Sequence, residues 1–144
     1  MAEGWLQQVQ LATVVLRVAD LERSVEWYRD MLGMSPIHKG VDGDTPPYAV
    51  YDVSGVIVTV WQLFPGQRRN AEENDRNSYV ITVYDGDIVA LRDSLVARGV
   101  KADEMRDSKN NRFFWFYDLD DNRWEVSQPT TDESRAAAQE VIGG

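Results

Sequence analysis

The sequence of 144 residues contains no cysteine and a single histidine. Without cysteine there is no disulfide, no thiolate metal site and no cysteine nucleophile. No apolar run approaches the roughly 18–20 residues that a membrane-spanning helix needs. The N-terminal stretch MAEGWLQQVQ has neither the basic nor the apolar region of a secretion signal. We therefore expect a cytoplasmic protein with no membrane partner.

Positive charge is also scarce. The chain has 15 Lys and Arg against 24 Asp and Glu, a net charge of −9. This balance argues against nucleic acid as a partner, because phosphate binding needs clustered basic side chains. The acidic balance favours solubility and is compatible with a cationic ligand. An apolar fraction of 43% and five Trp are enough for the core of one compact domain.

Two stretches of the chain follow the same pattern. LRVADLERSVEWYRDMLGM begins at Leu16 and ITVYDGDIVALRDSLVARGV begins at Ile81. Each has an alternating apolar strand, then a helix with an apolar stripe, then Gly. Asp20 is the predicted N-cap of the first helix, and either Asp85 or Asp87 is that of the second. The chain is therefore predicted to contain two copies of one unit.

Each unit continues with further strands, so the predicted fold is α+β with two βαβββ units. The predicted stripe of the second helix is Ile88, Leu91 and Leu95. Further strands are predicted at about 34–41, 47–53, 55–63, 101–106, 112–117 and 123–128, with a helix at 132–141. The predicted organisation of this single domain, 1–144, is a first unit over 9–63, a linking loop over 64–77, a second unit over 78–128 and a tail over 129–144.

This arrangement resembles the vicinal oxygen chelate superfamily, which includes glyoxalase I, bleomycin-resistance proteins and extradiol dioxygenases. The resemblance covers about residues 9–128 and is carried by VVLRVADLERSVEWYRDMLGM, VITVYD and FYDLDDNRWEV. The last segment is similar to the family's DPDGN hairpin, with Leu119 and Asp121 in place of Pro and Gly. The resemblance implies two sheets that curl into a cup, often completed across a swapped homodimer.

Metal-using members hold a divalent ion with four side chains, usually two His and two Glu. The resemblance places the corresponding positions at Thr13, near Thr59, at Ser78 and at Glu125. Neutral hydroxyls are poor ligands for Zn²⁺, Ni²⁺ or Fe²⁺. We therefore expect no metal and no cofactor, which would remove the usual lyase and dioxygenase mechanisms. A metal held elsewhere, by His38 with Glu125, is the alternative.

The strand period indicates which other side chains share the cup face with these positions. Thr13 would bring Arg17 with it, and Thr59 would bring Trp61. In the aromatic strand, either Phe113, Trp115 and Tyr117 or Phe114 and Phe116 face the cavity. The predicted ligand-binding residues are Thr13, Arg17, Thr59, Trp61, Ser78, Trp115, Tyr117 and Glu125.

Two hypotheses follow for function. The first is a homodimeric binding protein that sequesters a small aromatic or cationic organic ligand, such as an antibiotic, in the manner of bleomycin-resistance proteins. The second is a metal-independent lyase, isomerase or cyclase in which Glu125 serves as general base. Arg17 or the hydroxyls of Thr13 and Ser78 would then stabilise the negative charge that develops.

Overall fold

The computed structural model describes residues 11–67 and 78–141. The first half contains β1 (Val14–Val18), α1 (Leu21–Leu32), β2 (His38–Gly40), β3 (Tyr48–Val53) and β4 (Val56–Gln62). The second half contains β5 (Tyr79–Thr82), α2 (Ile88–Ala97), β6 (Lys101–Ala102), β7 (Arg106–Asp107), β8 (Asn111–Tyr117), β9 (Arg123–Pro129) and α3 (Asp132–Val141). Most of the predicted linking loop and the first residues of the predicted first unit lie outside these ranges.

Each half forms one mixed sheet, and both sheets are open. The strand order is β1-β4-β3-β2 in the first and β5-β9-β8-β6 in the second, with β7 also paired to β8. In each sheet the strand before the helix runs parallel to the last long strand, β4 or β9, while the other pairs are antiparallel. The predicted α+β class with two related units is confirmed. None of the helices described is long and apolar enough to cross a bilayer.

The helix ends follow the sequence signals. The Asp20 side chain accepts a hydrogen bond from the Arg23 backbone N–H at 3.2 Å and caps α1. Gly33 ends this helix with a φ of 68°, a left-handed conformation that glycine adopts without strain. At α2 the cap is Asp87, whose side chain accepts from two backbone N–H groups. Asp85 forms an ion pair with Arg135 of α3 instead.

Three local predictions are corrected. The strand expected at 34–41 is limited to β2, after Pro36, which cannot donate a ladder hydrogen bond. The strand expected at 101–106 is divided into β6 and β7, two short strands that each pair with β8. In α2, Leu91 is 38% exposed, and Arg92 takes a half-buried place where it donates to the Asp103 carbonyl oxygen at 2.7 Å.

Alternation along each strand separates a core face from an open face. In β8, Phe114 and Phe116 are buried, so Phe113, Trp115 and Tyr117 lie on the open face. The same alternation buries Leu16 and Val18 of β1 beneath α1. Of the two alternatives predicted for the aromatic strand, the one with Phe113, Trp115 and Tyr117 on the open face is therefore observed. Phe114 and Phe116 belong to the core.

The two halves meet at a buried hydrogen-bond network, which we call the hairpin network, formed by Tyr28, Asp118, Asn122 and Trp124. The Tyr28 hydroxyl donates to Asp118 at 2.7 Å and accepts from the Trp124 indole at 3.2 Å. Asn122 Nδ2 donates to Asp118 at 2.8 Å and to the Arg17 carbonyl oxygen at 3.1 Å. Burial raises the pKa of the Asp118 carboxyl, although its hydrogen bonds act in the opposite direction. The network ties the β8–β9 hairpin to the first half.

Candidate functional site

We define open face 1 as the side of the first sheet that faces away from α1. The register places Val15 beside Thr59 and Arg17 beside Trp61, so these side chains share the face. Across the next pair, Trp61 lies beside Tyr48. Strand alternation thus brings the predicted residues Thr13, Arg17, Thr59 and Trp61 onto one surface.

The two threonines of open face 1 are hydrogen-bonded to each other. The Oγ1 atoms of Thr13 and Thr59 lie 2.9 Å apart. Thr13 Oγ1 also donates to the Ile57 carbonyl oxygen, at 3.0 Å. Thr59 is buried, with 5% of its surface exposed. The pair therefore fastens β1 to β4 at this end of the sheet.

Arg17 and Trp61 form the aromatic part of open face 1. The Arg17 guanidinium lies 5.4 Å from the centre of the Trp61 ring, a cation–π contact. Trp61 is fixed by its indole N–H, which donates to the Pro46 carbonyl oxygen at 2.8 Å, and by the Tyr48 ring at 5.0 Å. Arg17 Nη1 is buried and has no hydrogen-bond partner. One donor beneath this face is therefore without an acceptor among the described residues.

Open face 2 is the corresponding side of the second sheet. Glu125 of β9 lies between Val80 of β5 and Trp115 of β8 in the sheet register. The Trp115 indole N–H donates to Glu125 Oε1 at 2.8 Å. The second oxygen of this half-buried carboxylate forms no hydrogen bond within the described residues. The structure therefore brings together Ser78, Trp115 and Glu125, as predicted from the sequence.

Two arginines that the sequence analysis did not single out complete open face 2. The guanidinium carbons of Arg106 and Arg123 lie 4.6 Å and 4.7 Å from the centre of the Trp115 ring. Arg123 Nε donates to Ser78 Oγ at 2.8 Å. Arg123 could have been found, because it precedes Glu125 by two residues and so shares its face. Arg106 could not, because its place depends on the short β7–β8 pairing.

Tyr117 lies opposite Arg123 on open face 2, and His38 lies on the edge strand of open face 1, in the register row of Val50 and Thr59. The Tyr117 hydroxyl donates to Asp103 at 2.9 Å, and Lys101 lies 4.8 Å from the ring centre. His38 is exposed beside Tyr48, with 3.5 Å between its Nε2 and the Tyr48 hydroxyl. No hydrogen bond or ion pair joins His38 to Glu125 in the described part of the chain. The alternative metal pair of His38 and Glu125 thus has no support in their contacts.

Within the described residues, the two open faces are not joined by direct contacts. No hydrogen bond, ion pair or ring contact joins Thr13, Arg17, Thr59 or Trp61 to Ser78, Trp115 or Glu125. The predicted residues therefore form two clusters instead of one. Each cluster is half of the surface that the sequence analysis assigned to a single cup.

The four positions that the resemblance assigned to metal ligands do not fit a divalent ion. Thr13 and Thr59 are engaged with each other, and Ser78 accepts from a guanidinium, whose charge would repel a bound cation. Glu125 is the one carboxylate among them, and one of its oxygens accepts from Trp115. No group of three or more His, Asp or Glu side chains with the spacing of a metal site occurs within 11–67 and 78–141.

Comparison with known proteins gives a family and a fold. Residues 10–126 match the model of the Glyoxalase/Bleomycin resistance protein/Dioxygenase superfamily. No curated protein sequence matches the chain. Among solved structures, the fosfomycin resistance protein FosX from Listeria monocytogenes superposes with a TM-score of 0.66 at 18% identity, covering 88% of this chain and 98% of that one.

Two further structures show the same likeness. A glyoxylase/bleomycin resistance protein/dioxygenase domain from Frankia sp. EAN1pec gives a TM-score of 0.64 at 19% identity, covering 90% of this chain and 98% of that one. FosX from Mesorhizobium loti gives 0.58 at 18% identity, covering 87% and 96%. At these identities the likeness establishes the fold alone. The Listeria protein has also been crystallised with Mn(II) and sulfate.

Proposed function

Because the chain belongs to the Glyoxalase/Bleomycin resistance protein/Dioxygenase superfamily, we propose that it is a small-molecule binding protein. Its ligand lies against the two open faces, and no metal takes part in holding it. The proposal assigns the binding surface to Thr13, Arg17, Thr59, Trp61, Ser78, Trp115, Tyr117 and Glu125, together with Arg106 and Arg123.

The observation that carries the proposal is the orphan donor of Arg17. A buried N–H group without an acceptor costs about 1–3 kcal/mol of stability. The guanidinium packs on the Trp61 ring, but its Nη1 donor has no acceptor among the described residues. A ligand that supplies an acceptor and a flat surface would satisfy both the donor and the ring. Ligand binding would therefore give the Nη1 donor of Arg17 the acceptor that packing on Trp61 does not supply.

The proposal departs from the sequence analysis in the charge of the ligand. A cation was expected because aromatic rings and a carboxylate suit one. Arg17 already lies against Trp61, and Arg106 and Arg123 lie against Trp115, so protein cations occupy those positions. We therefore propose a planar organic ligand with hydrogen-bond acceptors. Antibiotic sequestration is one role that we propose for such a site; the structural neighbour FosX is a fosfomycin resistance protein.

We also propose that the site is completed by two copies of the chain in a homodimer. We propose a cytoplasmic location for this dimer. Among the described residues no contact joins the two open faces, while the family commonly joins such faces across a homodimer. Sedimentation equilibrium should give twice the chain mass. A mass equal to that of one chain would contradict the dimer, and each open face would then have to bind a ligand without the other.

The test of the ligand site is Arg17→Met, which keeps the apolar stem and removes the guanidinium. We expect the free energy of unfolding to change by less than about 1 kcal/mol, because the loss of the cation–π contact with Trp61 offsets the removal of an unsatisfied buried donor. Ligands found by tryptophan fluorescence screening of the unmodified protein should bind at least tenfold more weakly. The matched control is Arg29→Met, since Arg29 is exposed and paired with Asp30. Equal ligand affinity in both variants would reject the assignment of Arg17.

The second candidate function is a metal-independent enzyme, favoured by the free oxygen of Glu125. A carboxylate that is held by Trp115 at one oxygen and open at the other is placed to take a proton from a bound substrate. Glu125→Gln separates the two candidates. A binding protein should lose only a few-fold in affinity, whereas a base-dependent enzyme should lose nearly all turnover. Turnover by the unmodified protein, abolished in this variant, would replace the binding proposal.

A further inference from the structure

The charge on open face 2 is carried by side chains that no ion pair neutralises. Arg106 and Arg123 form no ion pair within the described residues. By contrast, Arg29, Arg112 and Arg135 elsewhere on the surface are each paired with an aspartate. Other described arginines, such as Arg23 and Arg98, also form no ion pair, but Arg106 and Arg123 are the pair that shares one aromatic ring among the described residues. At ordinary ionic strength, salt screens the repulsion between the chain's other carboxylates and an anionic ligand beyond about 10 Å. The charges on open face 2 itself therefore decide which ligand binds there.

Trp115 orders this pair. Arg106 comes from β7 and Arg123 from β9, the strands on opposite sides of β8, and both guanidinium groups approach its ring. The ring N–H is already used by Glu125, so the ring itself is engaged on several sides. A ligand at Trp115 would therefore meet the N–H donors of the two arginines more than the surface of the indole ring.

The donors of these arginines are available. Arg123 uses Nε for Ser78, and its Nη groups form no hydrogen bond with the described chain. The guanidinium of Arg106 forms no hydrogen bond there and is exposed. Stacking on an indole limits rotamer freedom in advance, so less entropy is lost when an acceptor arrives. The opposing charge is Glu125, one carboxylate against two guanidinium groups.

We propose that Arg106 and Arg123, ordered on Trp115, bind the oxyanion group of an organic ligand, a carboxylate or a phosphate. The inference rests on the proposed small-molecule function and names the chemical class of the ligand. The guanidinium of Arg123 accordingly contacts Ser78 and lies on the ring of Trp115, whose N–H donates to Glu125. Ser78 and Glu125 are two of the four positions that correspond to metal ligands by resemblance. A fixed positive charge of the chain thus takes the part that an ion has in metal-using members.

The test follows the indole N–H signals of ¹⁵N-labelled protein during titration with four one-ring compounds. Benzoate and phenyl phosphate carry an oxyanion, benzamide is neutral and benzylammonium is a cation. The Trp115 signal is identified by its loss in Trp115→Phe. We expect benzoate and phenyl phosphate to shift this signal to saturation and the other two to leave it in place. Comparison of the two anions tells which group the site prefers.

Arginine variants then locate the effect. Arg106→Gln and Arg123→Gln should each weaken anion binding about tenfold, the usual loss for a charge-assisted hydrogen bond. Arg112→Gln is the matched control, because Arg112 adjoins the same strand pair but is engaged by Asp107 at 2.8 Å, and it should bind as the unmodified protein does. Added salt should weaken binding in the unmodified protein more than in either Gln variant.

The inference is overturned if benzamide or benzylammonium shifts the signal as strongly as the anions, or if both Gln variants keep full anion affinity. In either case binding at open face 2 would still stand, so the proposed function would survive. It is also overturned if no compound shifts the Trp115 signal. The proposed function then depends on whether screening finds a ligand whose affinity requires Arg17.

Discussion

Asn122→Ala should lower the free energy of unfolding by about 3 kcal/mol. Asn122 is 3% exposed, and its amide donates to both Asp118 and the Arg17 carbonyl oxygen. Alanine would leave a buried carboxylate with one donor fewer and a backbone carbonyl without its partner. We expect the melting temperature to fall by roughly 10 °C for a domain of this size.

Urea unfolding and thermal melting measure this loss directly. The matched control is Asn110→Ala, because Asn110 is an exposed loop asparagine whose side chain makes no hydrogen bond within the described residues. Its free energy of unfolding should change by less than about 0.5 kcal/mol. If the two variants melted together, the hairpin network would not be what joins the halves.

Trp124→Phe should be the other strongly destabilising change, by about 2–3 kcal/mol. Trp124 is 2% exposed and stacks on Phe116 at a centroid distance of 6.1 Å. Its N–H donates to the Tyr28 hydroxyl, which in turn holds Asp118. Phenylalanine would leave a cavity in the core and remove a donor from the hairpin network.

Trp115→Phe is the matched control, because the same substitution is made in the same hairpin on the opposite face. Trp115 is half-buried on open face 2, so the expected loss in unfolding free energy is under about 1 kcal/mol. Its effect should appear in ligand binding instead, since Arg106 and Arg123 lose the larger ring that orders them. Equal losses of stability in the two variants would contradict the assignment of core and open faces.

Much of the fold was predictable because its signals are local. Asp20 and Gly33 mark the ends of α1 by side-chain chemistry and backbone freedom that do not depend on the rest of the chain. The alternation of β8 reduced the aromatic strand to two alternatives, and burial of Phe114 and Phe116 selects one. Leu91 was misplaced because a largely apolar helix does not reveal which side faces the core.

The candidate site was predictable only in part. Strand period predicts that Thr13 shares a face with Arg17 and Thr59 with Trp61, because each pair lies along one stretch of chain. The resemblance to the family, and not the strand period, grouped these positions with Ser78 and Glu125. Arg106 reaches Trp115 through a two-residue strand, whose register no sequence period determines. The sequence analysis predicts a cationic ligand from the aromatic rings and the Glu125 carboxylate, because it does not include the positive charge of Arg106 beside Trp115.

The central claim is that the site binds its ligand with side chains of the chain and without a metal ion. The most direct test is elemental analysis of the native protein, purified without chelator or affinity tag. Because the four positions offer three neutral hydroxyls and one carboxylate, with a guanidinium against Ser78, we expect far less than one metal ion per chain. About one equivalent of Zn, Ni, Mn or Fe per chain would contradict this claim and would restore metal-assisted chemistry as the function.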